Sequence, residues 1–352
     1  TRIITAAGAL TLTAAGLLFA GPLDPPAGPV TSTYKTLTEV EPRIAINLTN
    51  TPGDADSLFK ITQPGSYYLT GNITGVAGRH GIEIAVAALG PSVTIDLMGY
   101  ELAGVASSLD GISVTVVSTR NVAIRNGSVR AWGGDGIDVN FSDNNLLDGL
   151  RVQGNGGSGI IAGTTSTVTG CTAFANTGNG ISAGFGSTVT GCTAQSNIGE
   201  GIFAGSGSTV TGCTASFNSG DGISAGSGST VTGCTASTNF GDGIQVNFDC
   251  RVTDNTCDSN GFSTGDGAGI HATGTDNRIE GNNCTDADRG IDVDVAGNII
   301  IRNTCSGNTS NWEIAVGNVC LVILATPTVA AISGDSGGLS PGSTNPNANF
   351  TY

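Results

Sequence analysis

The sequence predicts an all-β fold, a single-stranded parallel β-helix of about 10–11 coils, mostly of 21 residues, with an N-terminal cap and a C-terminal tail. Three observations carry that expectation. The stretch STVTGCTASFNSGDGISAG, residues 208–226, recurs almost letter for letter at 187–205 and 229–247. A Gly-Ile pair returns at a fixed interval, the four successive spacings from Ile160 to Ile244 all being 21. Gly accounts for 56 of the 352 residues and charged residues for only 12%. Turns are therefore frequent, and no stretch of about 11 residues in the repeats both escapes Gly and keeps the helical period.

The chain divides into four zones. Residues 1–37 carry Arg2, an apolar run from Ile3 to Phe19, small residues at Ala20 and Gly21, and then a Pro-rich stretch. That is the layout of a secretory signal, so a secreted, extracellular or cell-surface place is expected. The run is too rich in Ala, Gly and Thr for a stable membrane span. Residues 38–78 read as an N-terminal cap, a hairpin-like piece in which Phe59, Ile61, Tyr68 and Leu69 flank a Pro-Gly turn. Repeats occupy 79–317, and 318–352 form a cap or assembly tail.

Within the repeats each unit splits into short strand-like pieces, GISAG, STVTG and CTASFN, separated by Gly or Asn. Such pieces fit one coil of a parallel β-helix, in which equivalent residues of successive coils lie about 4.8 Å apart and pair as parallel strands. Every inward position then becomes a column of like residues. One column holds Ile82, Ile112, Ile137, Ile160, Ile181, Ile202, Ile223, Ile244, Ile270 and Ile291, with a degenerate match at Ile314. A second holds Ile124, Leu147, Val168, Val189, Val210, Val231, Val252, Ile279 and Ile300. Insertions such as FSTGDGA at 262–268 should bulge from a corner without breaking the stack.

The cysteines obey the same rule. Cys171, Cys192, Cys213 and Cys234 lie three residues after the column valine, where Asn255, Asn282 and Asn303 stand in later coils. Cys257, Cys284 and Cys305 lie five residues after it, where earlier coils have Ala. These are read as small buried core residues. The total of nine is odd, and there is no CxxC pair or Cys/His cluster for a metal.

The stretches SYYLTGNITG, VTIDLMGYELAG and NVAIRNGSVRAWGGDGIDV, followed by the GCTA…NxGxGI coils, resemble the secreted right-handed parallel β-helix repeat proteins of environmental bacteria. The resemblance covers about residues 56–317 and implies the pectate-lyase-like superfold and its right-handed winding. It implies no particular activity, because that fold carries lyases, glycosidases, tailspikes, adhesins and structural proteins.

Composition and residue content narrow the function. A net charge of −15 argues against nucleic acid or anionic membranes as partners. Lyases of this fold need an Arg or Lys base, yet Lys35 and Lys60 are the only lysines and 152–250 contains neither Lys nor Arg. No Asp-Asp pair on one coil and no Gly-His-Gly is present for a hydrolase. The remaining acidic column, two residues before the strand Ile, holds Asp110, Asp135, Asn179, Glu200, Asp221 and Asp242. It reads as solvated corner residues, with Glu200, Asp221 and Asp242 the metal candidates and calcium the one cofactor to consider. His80 shares that column and His271 follows a strand Ile; each reads as structural or solvent-facing. Arg125, Arg130, Trp132, Asp138 and Arg151 form a candidate glycan-binding group, an Arg beside an aromatic ring being a common recognition pair.

The function expected from this is an exported structural solenoid of the cell surface or of an extracellular filament, holding a shape and catalysing nothing. Its partner would be itself, end to end, since an open β-helix leaves unpaired edges and an uncovered bore. Val319, Leu321, Val322, Ile323 and Leu324 are the assembly residues of that reading. The alternative is a carbohydrate-active enzyme or glycan-binding module of the same superfold, with a polysaccharide as partner.

Overall fold

The structure is a computed structural model, and it describes residues 43–86, 92–261, 267–320, 322–325, 332–333 and 346–351. Among these there is no helix, and so none long and apolar enough to cross a membrane. The unit from Arg43 onward is a parallel β-solenoid of about 13 turns. The expectation for residues 1–37 lies outside the described residues.

Each regular coil contributes three short strands, for example Ile202–Ala204, Thr209–Thr211 and Thr214–Ser216. The chain turns a corner after each one because one residue there is left-handed: Gly207 (φ 70°), Gly212 (φ 59°) and Phe217 (φ 57°) in this coil. Gly meets that requirement without strain at the first two corners. At the third corner Ala175, Ser196, Phe217 and Thr238 adopt it successively (φ 54–58°), a cost of about 1 kcal/mol each that the stacked neighbours must hold in place.

The first strands stack into a twelve-stranded sheet, while the second and third strands belong to a 25-stranded sheet. Register runs without slippage through the repeats: Ile181, Ile202, Ile223, Ile244, Ile270 and Ile291 are successive partners in one column. Val168, Val189, Val210, Val231 and Val252 are partners in another. All are fully buried, as are Cys171, Cys192, Cys213 and Cys234. No cysteine is in a disulfide among the described residues. Stacked neighbouring thiols and burial push Cys192 and Cys213 up to about 12, so they pack as inert groups.

Every corner also carries a polar ladder. In the first, Ser166, Ser187 and Ser208 each donate a backbone N–H to the Oγ of the next serine at 3.1 Å. In the second, Cys234 donates to Asn255 Oδ1 at 2.8 Å, and Asn255, Asn282 and Asn303 continue to Asn349. In the third, Asn155, Asn176, Asn197, Asn218, Asn239 and Asn260 are linked by both N–H and Nδ2 to the next Oδ1. Corners are where a coil's polar groups escape the sheet ladders, so these side chains satisfy what would otherwise be buried and unpaired.

Two expectations are corrected at the ends. Phe59, Ile61, Tyr68 and Leu69 do not build a hairpin: Ser57–Ile61 pairs in parallel with His80–Ile84, and Gly65–Tyr68 with Val93–Asp96. The solenoid thus already includes this segment, Phe59 standing in the isoleucine column one rung before Ile82. At the other end the column residue is Trp312, paired with Ile291, and not Ile314. The turns exceed the count of Gly-Ile pairs because these outer rungs use aromatic residues in the isoleucine place.

The tail pairs with the chain's own strands. Val319–Cys320 continues the 25-stranded sheet, and Asn349–Thr351 pairs in parallel with Thr304–Ser306. Val322–Ala325 in turn pairs with Asn349–Thr351, while Leu321 lies outside the described residues. The chain's own tail therefore lies on the last rung of the 25-stranded sheet, while Ser310–Ile314 is the last described strand of the twelve-stranded one. The expected bulge of the insertion falls on residues 262–266, outside the described residues; on either side of them Gly261 and Gly267 approach closely, and a Cβ on Gly261, itself at φ +77°, would lie 2.4 Å from Gly267 Cα.

Candidate functional site

Strand alternation gives the twelve-stranded sheet an inward row, the isoleucines, and an outward row beside it. In order the outward row reads Lys60, Glu83, Ser113, Asp138, Ile161, Ser182, Phe203, Ser224, Gln245, His271, Asp292 and Glu313. The acidic corner column borders it. The expectation of solvated corner residues is corrected: Asp110, Asp221 and Asp242 are wired to the backbone of the next coil, and Glu200 accepts from Asn179 Nδ2 at 3.3 Å. Asp110 accepts the N–H of Asp135 at 2.8 Å, Asn179 that of Glu200 at 2.9 Å, Asp221 that of Asp242 at 2.8 Å, and Asp242 that of Ala268 at 2.7 Å. Asp242 is only 6% exposed.

This half-burial changes their acidity. Burial first, then the Asp221 charge, push Glu200 up to about 7; burial and then Asp242 push Asp221 up to about 6. Burial likewise raises Asp135 to about 6. The structure thus keeps Glu200, Asp221 and Asp242 together on successive coils, and of these Glu200 and Asp221 hold protons at mild pH.

His271 is not a lone histidine. Its Nδ1 lies 2.9 Å from Asp242 Oδ2, and its Nε2 lies 3.2 Å from Asp294 Oδ2 and 3.9 Å from Asp292 Oδ2. Asp292 is 4% exposed and holds Arg289 at 2.8 Å, and Arg289 reaches Glu313 at 2.7 Å. The hydrogen bond to Asp242 raises His271 to about 9 against the cost of burial, with Asp292 and Asp294 adding to the effect. At the N-terminal end of the same face, Lys60 Nζ sits 2.7 Å from Asp54 and 2.9 Å from Glu83, and His80 Nδ1 is 3.3 Å from Asp110.

The glycan-binding group expected from sequence is not one site. Trp132 is 1% exposed; its Nε1 donates to the Leu102 carbonyl and its ring fills the space beside Gly75 and Gly81, so no sugar can stack on it. Arg125, Arg130 and Arg151 project from the 25-stranded sheet, whereas Asp138 stands on the twelve-stranded one. Arg125 is paired with Asp96, Arg130 makes a two-pronged contact with Glu101, and Arg151 donates to Ser128 Oγ. The sequence reading missed the convergence of Asp242, His271, Asp292 and Asp294. The isoleucine column already ran from Ile244 through Ile270 to Ile291, and reading its outward neighbours would have placed His271 between Gln245 and Asp292.

Solved structures share this architecture. The chain resembles the A-module of the mannuronan C-5 epimerase AlgE4 of Azotobacter vinelandii at 17% identity, with a TM-score of 0.54, covering 72% of this chain and 90% of that one. It resembles the AlgE6 A-module of the same organism at 16% identity and a TM-score of 0.54, covering 73% and 89%. Likeness of this degree establishes the fold alone. No curated protein matches the chain. The model of the right handed beta helix region matches residues 71–211 and 202–323, most of the coils described above, and the chain belongs to that family.

Proposed function

We propose that the protein is a carbohydrate-active β-helix that acts on a neutral polysaccharide laid along the outer face of the twelve-stranded sheet. The observation that carries this reading is the pair Glu200 and Asp221, on successive strands of one corner, with acidities moved into the neutral range by burial. One strand spacing is about 4.8 Å, close to the roughly 5 Å at which one carboxyl protonates a glycosidic oxygen while the other attacks the sugar carbon. Glu200, protonated over more of the pH range, is the proton donor; Asp221, ionised at pH 7, is the nucleophile. The C–O bond to the leaving sugar breaks as its oxygen takes the Glu200 proton and Asp221 forms an ester, which water then opens with Glu200 as base. Phe203, 37% exposed in the outward row three residues past Glu200, offers a flat apolar face for a sugar ring.

Charge favours a neutral glycan. The chain carries −15, the arginines at 125 and 130 are engaged by Asp96 and Glu101, and the coils of this corner contain no Lys or Arg. A uronate polymer would meet repulsion there. The resemblance to polysaccharide-processing modules supports the substrate class, not the uronate. The end-to-end filament has less to support it, because Asn349–Thr351 occupies the C-terminal rung of the larger sheet.

The test is reducing-sugar release from a panel of neutral and uronate polysaccharides by the full chain and by Glu200→Gln and Asp221→Asn. Release from a neutral glycan, falling about 10²–10⁴-fold in Glu200→Gln, is the expected result. Turnover of uronates alone, or unchanged turnover by Glu200→Gln, would overturn the proposal.

A further inference from the structure

Beyond the Glu200 and Asp221 pair, and independent of it, we infer that His271, Asp292 and Asp294 form a binding site for a divalent transition-metal ion, with Asp242 as the residue that aims the imidazole. The three offer one ligand atom each within 4.8 Å of one another. They are more than a group of acids, because one donor is an imidazole nitrogen whose direction is set from behind. Asp242 Oδ2 takes the Nδ1 side of the ring at 2.9 Å, and Asp242 is itself anchored by the Ala268 N–H on its other oxygen at 2.7 Å. When an incoming ion displaces a proton from the ring, that arrangement keeps the hydrogen on Nδ1 and leaves the lone pair on Nε2. It is the way metal-binding histidines are held, with a carboxylate on the far nitrogen.

The distances fit an ion. With metal–ligand bonds of about 2.1 Å, neighbouring ligand atoms lie about 3.0 Å apart in an octahedron and about 3.4 Å apart in a tetrahedron. Nε2 is already 3.2 Å from Asp294 Oδ2 and 3.9 Å from Asp292 Oδ2, so a shift of about half an ångström closes the second edge. Asp292 is fixed on its strand directly beside His271, the two being register partners, and Asp294 extends from the end of the same strand. Arg289 takes Asp292 Oδ2 and also Glu313, which steadies the buried carboxylate and leaves Oδ1 as a second donor.

Ligand chemistry selects the class of ion. One imidazole and two carboxylates suit Zn²⁺ or Mn²⁺, whereas Ca²⁺ needs six to eight oxygens and takes no imidazole in its usual sites. The other acidic trio of the molecule, Asp54, Asp56 and Glu83, lacks a nitrogen donor and already encloses Lys60 Nζ.

The experiment is calorimetric titration of the metal-free full chain with ZnCl₂, MnCl₂ and CaCl₂, with the visible spectrum of the Co²⁺ form as a reporter of nitrogen ligation. One equivalent of Zn²⁺ or Mn²⁺ should bind. Asp294→Asn, at an exposed carboxylate that the fold does not need, should weaken binding at least tenfold. His271→Ala should abolish it together with the Co²⁺ band, and Asp242→Asn should weaken it about 10–100-fold while keeping the stoichiometry. Binding unchanged in Asp294→Asn and His271→Ala would overturn the inference, as would Ca²⁺ binding tighter than Zn²⁺ and Mn²⁺, or no binding by the parent chain.

Discussion

The two ends of the twelve-stranded sheet hold the same materials and use them differently. At the N-terminal end Asp54, Asp56 and Glu83 surround Lys60, so the chain supplies its own cation; Thr115 completes Glu83 Oε1 at 2.7 Å while Glu83 Oε2 stays buried and unpaired. There His80 Nδ1 accepts the backbone N–H of Asp110, which occupies the nitrogen that His271 turns toward Asp242. At the C-terminal end the imidazole lies between carboxylates with its second nitrogen toward Asp292 and Asp294. An acidic cluster thus becomes a closed knot where an ammonium fills it, and a prospective site where an oriented imidazole borders it.

The comparison assumes that both clusters rest on one continuous stack. Val210→Asp tests this most severely: an unpaired carboxylate between Val189 and Val231, where exposure is zero, should cost about 4 kcal/mol or more. Chemical denaturation would read the loss, and hydrogen exchange would separate the two ends into units of different protection. A cooperative transition at the parent midpoint would mean that Val210 does not face the bore.

Lys60→Ala comes next. It strands Glu83, whose side chain is 5% exposed, and should destabilise by about 2 kcal/mol. His271→Ala should cost less, because Arg289 still neutralises Asp292 and the Ala268 N–H still holds Asp242 once the imidazole is gone. Should His271→Ala prove the more damaging, the contrast between knot and site would be reversed.

Acidity gives a smaller, graded effect. Glu200, Asp221 and Asp135 have folded-state values of about 7, 6 and 6, above their ordinary 4.5 and 3.8, so the folded chain holds protons the unfolded one has lost. Their share of stability falls as pH rises through that window. His271, raised from 6.5 to about 9, contributes fully below 6.5 and loses its contribution as pH passes 9. All four act in the same direction, so Tm should be higher at pH 5 than at pH 9. A Tm that climbs steadily from pH 5 to 9 would contradict the burial of this corner. Smallest of all, Thr211→Asp, beside Val210 but facing outward, should shift stability by about 0.5 kcal/mol or less.

The interior was largely legible in the sequence because each inward position repeats its residue type, and a column of Val or Ile at a constant interval has few structural explanations. The Ser and Asn corner ladders were just as periodic and could have been read the same way. The outer rungs were not legible, since Phe59 and Trp312 replace the Ile by which coils were counted. The His271 cluster was half legible: the isoleucine column sets His271 beside Asp292, but nothing in the repeat shows that Asp242 and Asp294, 29 and 23 residues from His271 along the chain, turn their carboxylates onto the ring. Trp132 misled because an indole reads alike whether it faces a ligand or fills the gap left by Gly75 and Gly81.

The unbroken corner ladders make length an adjustable property. Because Ser187, Ser208 and Ser229, or Asn197, Asn218 and Asn239, present the same donor and acceptor to either neighbour, a copied or lost coil such as 208–228 would rejoin every ladder without repacking. The separation of the Lys60 knot from the His271 cluster would then change in steps of about 4.8 Å, as on a ruler whose divisions are interchangeable. Near-verbatim repetition in the middle of the chain is what such a ruler looks like when duplication has set its length, leaving the chemistry at either end to change on its own.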